Sequence, residues 1–212
     1  MVKAFSEHEK NLIRKRLLEQ GYKLFSTFGL KKTNIEDIAR ATGISKGSFY
    51  TFYESKEALF FEVIEEAEKR IRQEILEAID LPGPTQRARL FAVLHKAFTL
   101  FRNIPILKFI TGSEYELIFR RIPPEKLQEH LVNDQAFMQE LFGRLRIAGI
   151  ELRVQPEQIF ELLYPLALAL IHEDELPINT LKGKIDVFLE LVAAFCLGEV
   201  ELQLQGQEGK VK

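Results

Sequence analysis

The 212-residue sequence holds a single cysteine, Cys196, which excludes an intramolecular disulfide and a thiolate-based metal cluster. A long apolar run is missing too. The most apolar stretch, 159–171, contains Glu161 and falls short of the ~20 residues a membrane span requires. Residues 1–11 have neither an apolar h-region nor a small-residue cleavage site, so a signal peptide is not expected and the expected compartment is the cytoplasm. Internal repeats, low-complexity tracts and alternation of period two are also missing. Catalytic signatures are scarce: no nucleophile elbow in a Ser-His-Asp order, no glycine-rich phosphate loop and no paired catalytic carboxylates stand out. The histidines, His8, His95, His130 and His172, are scattered, and only the run from His172 to Glu175 sits among acids. That run lies at a helix end before Pro177, where a solvated terminus is the ordinary reading. An enzyme is the rival class weighed and set aside, and no metal or cofactor is expected.

A strong net charge is lacking as well: 29 Lys and Arg face 31 Asp and Glu, for −2. Hydrophobic residues make up 46% and include 17 Phe, which excludes disorder for most of the chain. The charge is unevenly spread. Residues 1–54 hold ten basic against six acidic side chains, +4, and the remainder holds nineteen against twenty-five, −6. A basic head on an acidic body hints at a polyanion-binding end.

What is present is helical periodicity, and the fold class is all-α. Ser6-x-x-Glu9 has capping-box spacing and opens a first helix with Ile13, Leu17, Leu24 and Phe28 on one face, ending near Gly29. Thr33-x-x-Glu36 opens a short second helix. Gly43 permits a tight turn, and Ser45 caps a third helix running to about Phe52. Ser55 caps a longer fourth helix, to about Ile79, supported by the four-residue pairs Glu65/Lys69, Glu66/Arg70 and Glu68/Arg72. The sequence from Asp80 to Pro84 breaks it. Further helices are expected at about 85–103, 105–111, 113–121, 124–148, 156–173 and 179–204, with a polar tail at 205–212.

Residues 33–53 read as a helix-turn-helix. Ile35, Ile38, Ala39, Ile44, Phe49 and an aromatic at 52 or 53 face inward, completed by Leu17, Leu24, Phe25 and Phe28 of the first helix. The outer set is Ser45, Lys46, Gly47, Ser48, Tyr50 and Thr51. Its chemistry suits a DNA groove: an ammonium for phosphate or guanine acceptors, a close backbone approach at Gly47, hydroxyls and a methyl for base edges, and a phenol for phosphate. Thr33, placed at a helix N-terminus, and Lys56 are further phosphate candidates.

These residues carry a resemblance. Phe25-x-x-Phe28-Gly29, then Thr33 followed by Ile38-Ala39, and the run from Ala41 to Leu59, ATGISKGSFYTFYESKEAL, resemble the TetR/AcrR family of transcriptional regulators over roughly residues 10–60. Phe52-Tyr53 stands where the family usually has a polar or Tyr residue followed by Phe, and Thr51 where His or another polar residue is frequent. Tyr53 is accordingly expected in the core with its hydroxyl at the surface. The resemblance implies a DNA-binding domain over 1–54, a connecting helix over 55–80 and an effector-binding and dimerisation domain over 81–204. It also implies binding of double-stranded operator DNA as a homodimer, repression of a palindromic operator and release by a small-molecule effector. The alternative is a helical interaction or ligand-binding protein that has kept the fold without DNA binding.

The last two long helices, the positions where the family dimerises, are apolar around more than one face. A partner's surface against Phe160, Leu163, Leu170, Phe188, Val192 and Phe195 or an enlarged monomer core would each account for that. Residues 85–150 are rich in aromatics, and an apolar or aromatic effector pocket is drawn from Phe91, His95, Phe98, Arg102, Tyr115, Phe119 and Phe137, with Tyr164. For each of these, plain core packing is the competing role.

Overall fold

Helix formation begins at the capping box. In the computed structural model, which describes residues 5–106, 120–171 and 184–200, Ser6 Oγ accepts the Glu9 N–H at 3.3 Å and Glu9 Oε2 accepts the Ser6 N–H at 2.8 Å. Each group satisfies an N–H that a helix start leaves open. Helix α1 (Glu7–Lys32) follows, interrupted at Gly29 (φ 75°, ψ 172°), the expected end, with a last turn beyond it. Then come α2 (Ile35–Thr42), α3 (Lys46–Phe49), α4 (Lys56–Ala78), α5 (Gln86–Arg102), α6 (Pro124–Ile147), α7 (Pro156–Ile171) and α8 (Ile185–Cys196). Among the described residues every regular element is helical, and no helix is long and apolar enough to cross a membrane. The expected helices at 105–111 and 113–121 fall almost wholly outside the described residues, as do the ends of the one expected at 179–204 and the run from His172 to Glu175.

Two boundaries, the start of α2 and the end of α3, differ from the sequence reading for local reasons, and the end of α4 agrees with it. Asn34, not Thr33, caps α2, its Oδ1 accepting the Asp37 N–H at 3.0 Å. α3 is shorter than expected: after Phe49 the chain tightens into a turn in which Thr51 N–H reaches Ser48 O at 3.1 Å and Phe52 N–H reaches Phe49 O at 2.9 Å. α4 closes with the N–H groups of Ile79, Asp80 and Leu81 each donating three residues back, at 3.2–3.3 Å, ahead of the prolines.

The chain divides into two compact units, Met1–Glu74 with Thr99–Phe137, and Ile75–Phe98 with Met138–Lys212. In the first, Leu17, Phe25, Ile38, Phe49, Leu59 and Phe60 are wholly buried, each worth about 1.5–3 kcal/mol of transfer free energy. The rings of Phe25 and Phe60 meet edge to face at 4.9 Å. A Cβ at Gly21 would lie 3.2 Å from Leu59 Cδ2, so α1 and α4 approach closely there. Phe28, expected in this core, is instead 52% exposed. The break at Gly29 redirects the chain, and Leu30 takes the inward place while Phe28 lines an open groove beside Leu24, Asp37 and Arg40. Tyr53 is the core aromatic, 5% exposed, but its hydroxyl is buried rather than at the surface.

The second unit has its own closures. Gly149 (φ 76°) and Gly198 (φ 71°) end α6 and α8 in Schellman turns, with Ile150 N–H to Leu145 O and Glu199 N–H to Ala194 O, both at 2.9 Å. Arg89 donates to Ala148 O at 2.7 Å and to Ile79 O at 3.3 Å, tying off the ends of α6 and α4. Leu189, Ala193 and Cys196 are fully buried, and burial pushes the Cys196 thiol up to about 11.

Candidate nucleic-acid interface

The turn between α2 and α3 is built from a few local choices. Gly43 adopts φ 79°, ψ 30°, a left-handed conformation that a side chain resists. Its N–H reaches Arg40 O at 3.2 Å and the Ile44 N–H reaches Ala39 O at 3.0 Å, closing α2 in a Schellman turn. Thr42, buried, donates its hydroxyl back to Ile38 O at 2.8 Å. Ser45 then stops the turn by accepting the Ser48 N–H at 3.0 Å. Phe49, fully buried, fixes the rotation of α3 about its axis and so decides which side chains face water.

That outward face is the one the sequence predicts. Ser45, Lys46, Gly47, Tyr50 and Thr51 are exposed and Ser48 is half-buried. A Cβ at Gly47 would meet nothing closer than Ser45 Oγ at 3.8 Å, so the face is open there. The Ser45 and Ser48 hydroxyls share a hydrogen bond of 2.8 Å. The Tyr50 ring is 51% exposed and rests edge-on against Phe49 at 5.7 Å, which leaves its phenol outward. Lys46 pairs with Glu36 of α2, a partner ten residues away that no periodicity announces. Hydrogen bonding to Glu36 holds the Lys46 ammonium above its ordinary value, and the same bond holds the Glu36 carboxyl below its own.

Two residues expected at phosphate have their polar groups engaged inside the head. Thr33 is 2% exposed, and its hydroxyl donates to Gly29 O at 2.7 Å because Thr33 closes α1 rather than opening α2. Lys56 reaches back from α4 to the carbonyls of Leu30 and Thr33, at 2.6 and 2.8 Å, where it neutralises the partial negative charge of a helix C-terminus. A third buttress escaped the sequence reading. Arg14 of α1 forks onto Glu62 of α4 at 3.1 and 2.7 Å and lies 5.5 Å over the Tyr53 ring. Hydrogen bonding to Glu62 raises the Arg14 guanidinium further, and burial pushes the Tyr53 phenol well up, with Glu62 adding to it.

The other expected sets are less gathered. Phe91 and His95 stack loosely at 5.7 Å, and His95 Nε2 stands 3.5 Å from Asp186. Phe98 is buried core, Arg102 is exposed, and Phe137 lies under the Arg72 guanidinium at 5.4 Å. Tyr115 and Phe119 lie outside the described residues, as do the side chains of Phe160, Tyr164 and Leu170. Of the expected dimer set, Val192 is buried, and Leu163, Phe188 and Phe195 are half-buried. On α8, Val187 and Leu191 are 62% and 58% exposed, four residues apart on one face, and sequence reasoning passed over both.

Residues 17–63, which contain all of this helix-turn-helix, match the family described as bacterial regulatory proteins, tetR family. Over this segment the chain is similar to the TetR/AcrR family. Among its relatives, the uncharacterized HTH-type transcriptional regulator YhgD of Bacillus subtilis (strain 168) is 36% identical over 85 residues, 38% of this chain and 44% of that protein. The chain spans less than half the length of each of the first curated relatives it matches. The TetR-family fold itself extends further. The crystal structure of a TetR-family transcriptional regulator from Mesorhizobium loti MAFF303099 is similar with a TM-score of 0.67 at 15% identity, covering 93% of this chain and 100% of that one. The transcriptional regulator FadR from Bacillus subtilis, in complex with stearoyl-CoA, has a TM-score of 0.59 at 15% identity and coverage of 88% and 99%.

Proposed function

We propose that this chain, as a TetR-family regulator, binds a palindromic operator in double-stranded DNA as a homodimer, represses transcription there by obstructing polymerase, and is released by a small apolar or aromatic effector. The observation that carries the DNA reading is the outward face of α3. There an exposed ammonium, three hydroxyls, a phenol and an open glycine stand on a helix and its flanking residues, with the opposite side locked by buried Phe49. Ser45, Lys46, Gly47, Ser48, Tyr50 and Thr51 form the contact set, and Thr33 and Lys56 serve it by holding the head in shape. The +4 charge of residues 1–54 supplies the attraction to phosphate.

Homodimerisation is assigned to α7 and α8, supported by the exposed Val187 and Leu191 beside half-buried Phe188 and Phe195. Two recognition helices must stand about 34–36 Å apart to read successive half-sites. In this proposal the effector, held among the aromatics of residues 81–204, moves α4 and spoils that spacing. The stearoyl-CoA held by the Bacillus subtilis FadR carries an apolar acyl chain, which supports the apolar class of effector.

Binding to a palindromic duplex from the protein's own promoter, followed by fluorescence anisotropy across a salt series, tests the reading. The affinity should fall steeply and log-linearly with salt as counterions are released. Affinity that is flat with salt, or equal for a scrambled duplex, would sink it. A thermal-shift panel of long-chain acyl-CoA and aromatic compounds tests the effector: a hit that also weakens operator binding is expected.

A further inference from the structure

Away from the recognition face, the first compact unit holds a cluster that the DNA reading leaves without a task. Glu65 and Glu68 lie three residues apart on α4, and His130 and Asp134 lie four apart on α6, so each pair shares a helix face. One oxygen of Glu68, one of Asp134 and one ring nitrogen of His130 all lie within 4.8 Å of one another. His130 Nε2 stands 3.8 Å from Asp134 Oδ2, while Nδ1 stands 3.8 Å from Glu65 Oε1 and 3.7 Å from Glu68 Oε2. The Phe61 ring packs against the imidazole at 5.5 Å and limits its rotation. All four side chains are partly open to solvent, from 22% for His130 to 44% for Asp134, so an ion has a way in.

We propose that Glu68, Asp134 and His130 form a binding site for a divalent first-row transition metal ion, with Glu65 orienting the imidazole. The division of labour on His130 follows from its two nitrogens. A single ion takes only one of them, and Nε2 is the one beside Asp134. The other, Nδ1, stands 3.8 Å from Glu65 and 3.7 Å from Glu68; with Glu68 turned to the ion, Nδ1 is left to Glu65, the carboxylate–histidine–metal arrangement that fixes tautomer and ring angle. Metal–ligand bonds of about 2.0–2.2 Å set neighbouring donor atoms roughly 3.0–3.6 Å apart, so small rotations of the two carboxylates close the site. One imidazole with carboxylates and no sulfur favours Zn²⁺, Fe²⁺ or Mn²⁺ over a soft ion, and the imidazole disfavours Mg²⁺. Water completes the coordination.

A cation already stands in for the ion. The Arg72 guanidinium bridges the same carboxylates, to Asp134 Oδ1 and, at 3.3 Å, to Glu68 Oε2, and Phe137 supports it from below. Glu68 and Asp134 thus share one guanidinium, while Glu65 stands beside His130 with Lys126, Glu129 and Glu62 near it. Arg72 is therefore the competitor that an ion has to displace, and its removal is the test that separates a metal site from a plain salt-bridge network.

Calorimetric titration of the full chain with Zn²⁺, and with Mg²⁺ for comparison, tests the assignment without reference to DNA. The expected result is one saturable Zn²⁺ per chain, with Mg²⁺ much weaker. His130→Gln and the surface change Asp134→Asn should each weaken Zn²⁺ by about tenfold or more, Glu65→Gln should weaken it by roughly tenfold, and Arg72→Gln should tighten it. Zn²⁺ should also raise the melting temperature of the parent and not of His130→Gln. Absence of saturable uptake by the parent overturns the proposal. So does uptake that His130→Gln and Asp134→Asn leave unchanged, or an Arg72→Gln chain that binds Zn²⁺ no more tightly than the parent.

Discussion

The helix-turn-helix head and the second compact unit are both helical and both close helices locally, yet the polar ties of the second unit reach further along the chain. In the head, neighbours in sequence set nearly every boundary: Ser6 with Glu9, Asn34 with Asp37, Gly43 with Arg40, Ser45 with Ser48. In the second unit the polar ties reach across the chain, from Arg89 to Ala148, 59 residues on, and from Arg87 to Glu199, 112 residues on. Local chemistry repeats wherever the same turn is needed, so it carries a family likeness. Long-range ties depend on how each chain happens to pack and carry none.

If the head's recognition face depends on the residue locked behind it, Phe49→Ala should be the most damaging change. A loss of about 3–5 kcal/mol is expected in urea unfolding, with operator binding lost as well. Leu189→Ala, an equally buried site in the second unit, should cost roughly 2–5 kcal/mol and leave operator contacts of the folded chain intact. Equal loss of operator affinity by folded Leu189→Ala would erase the distinction between the units.

Lys56→Met comes next. It removes an ammonium that closes the α1 terminus through two short bonds, and a loss of about 1.5–3 kcal/mol is expected. The salt slope of operator binding should not change, because Lys56 is spent on carbonyls; a slope reduced by about one unit would return it to the phosphate contacts. Tyr53→Phe should be neutral, or stabilising by up to about 1 kcal/mol, since the buried hydroxyl it deletes has no hydrogen-bond partner among the described residues. Thermal melts check this, and a clear destabilisation would mean that the hydroxyl has work to do. The smallest effect belongs to Glu36→Gln. Freeing Lys46 should tighten operator binding roughly two- to fivefold, more at low salt, as anisotropy at two salt concentrations would show.

The elements of the head were legible in the sequence because their signals are short-ranged. The capping box, the glycine turn, the Ser45 cap and the outward face of α3 all follow from spacings of a few residues. Directions of long side chains were not. Thr33 and Lys56 carry the right chemistry for phosphate, but α1 runs one turn beyond Gly29 and its open carbonyls claim both. Phe28 has the right helical phase for the core and loses its place to Leu30 at the same break. The Lys46–Glu36 pair and the cluster of Glu65, Glu68, Arg72, His130 and Asp134 join side chains from different helices. The Arg72–Asp134 bond alone spans 62 residues, and helical periodicity says nothing about which faces meet.

The central claim of the proposal is that the exposed face of α3 reads DNA while the rest of the head holds that face in position. Operator affinity of Lys46→Ala and Tyr50→Ala, measured beside their sedimentation behaviour and melting temperature, tests it most directly. Both side chains are exposed, so fold and self-association should match the parent, while operator affinity should fall at least about fivefold in each. Parental affinity in both variants would contradict the account.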